Sequence, residues 1–83
     1  MSEESRNRRV SVEKLVKIYA EGLGEDSAKK IIQDALTKLG LPSNTRDLSK
    51  DDAIKLCNLL SKNKGFVGIV SRFILARIYT GQL

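Results

Sequence analysis

The chain has 83 residues, with 15 Lys and Arg against 10 Asp and Glu, one cysteine, and no histidine or tryptophan. That length supports one domain, because two independent cores need roughly twice as much chain. The lone cysteine excludes an internal disulfide. The absence of histidine removes the usual general base and most zinc ligand sets, so no catalytic residue, metal or cofactor is expected.

Met1–Val10, MSEESRNRRV, has little to bury and reads as a flexible basic arm carrying Arg6, Arg8 and Arg9, ahead of one helical domain over residues 11–83. Its polarity reads against a secretory leader and for a cytoplasmic protein. No apolar run approaches the ~20 residues that span a bilayer. The greasiest stretch, Phe66–Tyr79, is broken by Arg72 and Arg77, so no membrane partner is expected.

The periodicity predicts an all-α fold of four short helices. Ser11 is placed as an N-cap, with Val10 and Leu15 as a hydrophobic staple across it. The first helix covers about residues 12–21; Val12, Leu15, Val16 and Tyr19 form its inward stripe, and Gly22 and Gly24 stop it. The second covers about 26–39. Ala28, Ile31, Ile32, Ala35, Leu36 and Leu39 make one unbroken apolar face, and Gly40-Leu41-Pro42 ends it.

Ser49 caps a third helix over about 50–63, with Asp52 three residues on and Leu48 stapling onto Ala53; Gly65 is expected to end it. A fourth helix follows over about 66–80. No internal repeat and no alternating strand is legible, although the β-branched run FVGIV leaves a short strand at Phe66–Val70 as the other reading.

The stretch Lys62–Phe73, KNKGFVGIVSRF, opens like the signature strand of an RNA-recognition sheet. Such a strand needs stacking rings at its third and fifth positions; here Phe66 fills the third, but Gly68 takes the fifth and Ser71 falls where the last aromatic belongs. The spacing Gly65-Phe66-Val67-Gly68 also matches the backbone clamp of a KH domain, but that loop faces phosphates and Phe66 and Val67 do not suit it. A helix-turn-helix over Ala53–Arg77 fits the spacing better, yet its second helix offers few polar side chains to base edges.

The charge is uneven. Residues 1–10 net one positive charge, 11–40 none and 41–52 one negative, whereas 53–83 hold five cations and no acid. If Arg6, Arg8, Arg9, Lys62, Lys64, Arg72 and Arg77 converge, they form a patch for phosphates with salt-sensitive, sequence-independent affinity.

The last helix is apolar almost all round, and a helix of that kind needs cover on almost all sides. Three short amphipathic helices supply part of it. The remaining face is expected to meet another protein, most simply the same helix of a second copy, through Phe66, Val67, Ile69, Val70, Phe73, Ile74 and Ile78. Gly68 and Ala76 would let a facing backbone come close.

The sequence thus points to a noncatalytic interaction or regulatory adaptor that self-associates through its C-terminal helix. A basic nucleic-acid-binding protein is the alternative. The Lys-, Ile- and Leu-rich composition is compatible with a thermophile.

Overall fold

The computed structural model describes residues 9–81. Among them lie four helices and a two-stranded ribbon, in the order β1 (Arg9–Ser11), α1 (Val12–Leu23), α2 (Glu25–Lys38), β2 (Asp47–Ser49), α3 (Lys50–Ser61) and α4 (Phe66–Tyr79). The helices match the expected ones to within two residues at each end. The strands were not foreseen, and they draw Arg9 and Val10 out of the expected arm into the fold.

Each strand presents a single inward side chain, Val10 or Leu48, too little for an alternating pattern to register in the sequence. The two residues face one another at the centre of an antiparallel pairing that also joins Arg9 to Ser49 and Ser11 to Asp47. The Val12 N–H donates to the Arg46 carbonyl at 2.8 Å and extends the ribbon into α1.

Both serines cap as expected. Ser11 Oγ accepts the Lys14 N–H at 3.3 Å, and Ser49 Oγ accepts the Asp52 N–H at 3.1 Å. Each therefore satisfies one N–H that the first helical turn leaves unpaired. Behind α2, the Leu41 N–H donates to the Leu36 carbonyl at 2.8 Å and the Gly40 N–H to that of Thr37 at 3.0 Å, the paired closure that the Gly-Leu-Pro stop implied.

The elements fall into two consecutive β-α-α units whose strands and helices have equal lengths, 3, 12 and 14 residues in each. Residue i of the first strand and helix corresponds to i + 38 in the second, which matches the capping serines and the buried pairs Val10 with Leu48, Leu15 with Ala53, and Tyr19 with Cys57. Within each unit the two helices pack on one another; across the units α2 touches α3 and α1 touches α4. The strand pairing centred on Val10 and Leu48 is what a two-fold relation between the halves produces.

Gly24 and Gly65 hold equivalent places in the two units, immediately before the second helix, with φ of 86° and 76°. Side chains other than hydrogen rarely tolerate that region, so both joints depend on glycine. Gly65 therefore starts α4 and does not end α3. The α3 terminus is closed by polar side chains: Ser61 Oγ donates to the Asn58 carbonyl at 2.7 Å, and Asn63 Nδ2 to that of Leu60 at 3.1 Å.

Phe66–Val70 is helical, which removes both the strand reading and the phosphate-clamp loop. The core formed between the units includes Leu15, Tyr19, Ile32, Leu36, Leu56, Cys57, Ile74 and Ile78.

Candidate interaction surface

Helix α4 is divided lengthwise. Written as a heptad with Phe66 at position a, its buried residues Gly68, Ser71, Ile74 and Ile78 occupy b, c and f, while Val67 and Leu75, also at b and c, are half-buried. Every a, d and g residue is exposed: Phe66, Phe73 and Thr80 at a, Ile69 and Ala76 at d, Arg72 and Tyr79 at g. The helix thus presents one seam to its own core and a second, spaced 3-4-3-4, to the outside. Spacing of that kind matches the facing seam of another helix.

The outer seam is apolar. Phe73 is 66% exposed, Tyr79 63%, Ile69 55% and Phe66 41%. Of the side chains expected at an interface, Phe66, Ile69 and Phe73 lie on this face, Val70 sits half-buried at its margin, and Val67 is half-buried on the inward side. Ile74 and Ile78 do not belong to it: at 2% and 4% exposure they fill the core. Tyr79 is the exposed ring that the sequence reading left out, although its g position beside the seam was there to be read.

Gly68 also departs from expectation. A Cβ there would stand 2.1 Å from the Asn63 carbonyl oxygen, so the glycine serves the close approach of α4 to the α3–α4 turn, inside the chain. Ala76 remains on the outer seam. At the other end of that seam the Phe66 ring lies over Gly22 of α1, where an added Cβ would sit among its ring atoms.

The cations divide into groups. Lys62, Lys64 and Arg72 border one open groove of about 510 Å³ beside Ile69, shared with Gly65 and Gly68. Arg77 is exposed at an e position on the opposite flank of the seam. Arg9 is exposed on β1, opposite Ser49. Arg6 and Arg8 fall outside the described residues. What the described chain brings together is therefore three cations around the start of α4.

A second groove of about 610 Å³ lies between α1, α2 and the segment before β2. Its rim mixes Glu13, Glu25 and Asp47 with Lys17, Lys29 and Arg46 over an apolar floor that includes Ile32 and Leu36. Charges of both signs round an open rim do not select a ligand of either sign.

Comparison with protein-family models, with curated proteins and with solved structures returns no match to this chain. The reading of α4 therefore stands on geometry and composition. Among the described residues no three His, Cys, Asp or Glu side chains cluster as a metal site would require, and no helix is long and apolar enough to cross a membrane. Among the described residues two groups have perturbed acidity. Burial pushes the Cys57 thiol up to about 12 and raises the Tyr19 phenol still further, with the Ser71 hydroxyl in opposition. Neither is poised to react at neutral pH, because a thiol that stays protonated is a poor nucleophile.

Proposed function

We propose that this chain is a noncatalytic interaction domain, of the binding or regulatory kind, that docks another polypeptide on the outer seam of α4. The observation that carries the reading is the exposure of Phe66, Ile69, Phe73 and Tyr79 along one line of a helix whose opposite side packs on the core through Ser71, Ile74 and Ile78. Scattered apolar residues on a surface need no explanation, whereas contiguous ones mark contact sites. Aromatic side chains expose large rigid areas at low entropic cost, which suits them as anchors.

The groove lined by Lys62, Lys64 and Arg72 favours a second reading, phosphate contact with a nucleic acid. It has the right sign, and residues 53–83 hold no acid to oppose it. Base-stacking aromatics do not accompany it, since the nearby rings line the apolar seam.

Salt separates the two. Titration of a mixed-sequence 20-bp duplex and of a single-stranded RNA, followed by fluorescence anisotropy at 20 and 150 mM salt, is expected to give at most weak binding that vanishes at the higher salt. Micromolar or tighter binding at 150 mM, with log affinity falling steeply against log salt, would transfer the function to nucleic acid. An Ile69→Glu/Phe73→Glu chain is expected to keep its helical content, because both sites face outward, and to lose association with protein.

A further inference from the structure

Resting on the reading of α4 as a docking face, we infer that its occupant is the α4 of a second copy, running antiparallel about a two-fold axis between residues 74 and 75. The outer seam is complementary to itself in that orientation and not in the other. In an antiparallel pair, a positions pack against d positions of the partner helix. Phe73 then meets Ala76 of the partner chain, and Ile69 meets its Thr80, each contact occurring twice by symmetry. Large side chains are set against small ones, as close packing requires.

The flanks agree with this register. Antiparallel pairing brings g beside g and e beside e, so Arg72 comes next to Tyr79 of the partner chain, where the guanidinium can lie on the ring. Arg77 comes next to the half-buried Val70 of the partner chain. A parallel, in-register pair would instead oppose Phe73 to Phe73 and Ala76 to Ala76, overfilling one layer and emptying the next. It would also set Arg72 against Arg77 twice, like charges at the g-to-e spacing that fixes partner choice in parallel coils. No Asp or Glu lies anywhere in residues 53–83 to relieve that repulsion.

The area is enough for a modest dimer. Aromatic side chains offer about 150–250 Å² each, so Phe66, Phe73 and Tyr79 at 41, 66 and 63% exposure present roughly 250–430 Å² per chain. Ile69, Ala76, Thr80 and the stems of the two arginines bring two copies to the order of 1,000 Å², the lower bound of specific association. Affinity in the micromolar range follows, and a dissociation constant near picomolar does not.

Chains with one added cysteine test both the occupant and its direction, because native Cys57 is buried and serves as an internal silent control. The full chain is examined by sedimentation at 20–500 µM, alongside Ile69→Cys and Thr80→Cys chains treated with a short thiol crosslinker, separately and mixed. Dimerisation is expected, with crosslinking in the mixture and none in either variant alone, since two copies of Ile69 stand about 16 Å apart along antiparallel axes. Phe73→Glu is expected to weaken dimerisation at least ~30-fold while its circular dichroism is unchanged.

Self-crosslinking of Ile69→Cys would overturn the antiparallel pairing and leave α4 as the docking face. A monomer at 500 µM would overturn the second copy as occupant. A dimer untouched by Phe73→Glu would overturn the docking face itself.

Discussion

Tyr19 is enclosed completely, and its hydroxyl shares a hydrogen bond with that of Ser71, a buried polar residue of α4. The bond ties α1 of one unit to α4 of the other, and no buried side-chain polar atom among the described residues is left unpaired. Tyr19→Phe strands the Ser71 hydroxyl and is expected to cost about 1–3 kcal/mol, whereas Tyr19→Phe with Ser71→Ala should cost less than the two single changes summed, a double-mutant cycle readable by urea denaturation. The same cluster sets an alkaline limit. Cys57 and Tyr19 lose their protons at about 8.5 and 10 in an unfolded chain; burial holds them on in the folded one, the thiol up to about 12 and the phenol further. Above those unfolded values the folded state binds more protons than the unfolded state. Their contribution to stability is therefore intact below about pH 8.5 and falls as pH rises, by up to about 1.4 kcal/mol per unit for each group. Urea midpoints at pH 7, 9 and 10.5 measure the slope. Cys57→Ala should abolish the fall that begins at about pH 8.5 and leave only the Tyr19 slope above about pH 10, about half as steep as in the parent chain.

At the scale of the elements, caps and glycines decide where helices start and how near they lie. Ser11→Ala and Ser49→Ala should each lower stability by about 1 kcal/mol, because each exposes one first-turn N–H that a hydroxyl now satisfies. Two glycines inside helices should respond differently to alanine. At Gly68 the new methyl meets backbone, the Asn63 carbonyl, which moves only if α4 shifts against the turn before it. A loss of about 1–3 kcal/mol is expected there despite the better helix propensity of alanine. At Gly22 the atoms nearest the methyl are the far end of the Phe66 ring, a side chain 41% exposed that can swing away, so thermal denaturation should find that change close to neutral. These sites mark the reach of the sequence. Serine before an apolar stripe and Gly-Leu-Pro after one are local signals, and they placed the helices to within two residues at each end. The inward role of Gly68 depends on a carbonyl five residues away in a turn, and the strands depend on pairing between Val10 and Leu48 across 38 residues. No local pattern encodes either. The outer seam was half legible, because apolarity all round α4 announced that one side would stay uncovered without saying which. That Ile74 and Ile78 face inward follows from where α1 and α3 lie.

The whole molecule is one half repeated, in architecture though hardly in sequence. A serine cap, a central strand residue and a few buried positions persist between the units, while Tyr19 corresponds to Cys57 and Leu15 to Ala53, so side-chain volume is redistributed and self-similarity is lost to the eye. The consequence is a core that neither unit owns. Each strand has its partner in the other unit, α2 packs toward α3 and α1 toward α4, and the Tyr19–Ser71 hydrogen bond crosses the same boundary. A unit alone is about 40 residues, near the size below which a chain without disulfide or metal does not hold a core. Cleaving between Ser43 and Asn44, in the loop that joins the units, should therefore yield two fragments that are each largely unstructured at 10 µM by far-ultraviolet circular dichroism. Mixed in equal amounts they should regain the helical signal of the intact chain, with a midpoint that rises with concentration as bimolecular folding requires. The joining loop is expected to tolerate the cut because Ser43 and Asn44 are exposed and hold no strand hydrogen bond. If either fragment alone showed the full helical signal and a cooperative transition, the core would belong to that unit and the two-fold arrangement would be decoration on it. If the mixture stayed unfolded, the loop itself would be contributing more than the chain entropy of tethering, and the pairing of Val10 with Leu48 would be too weak to bring the halves together.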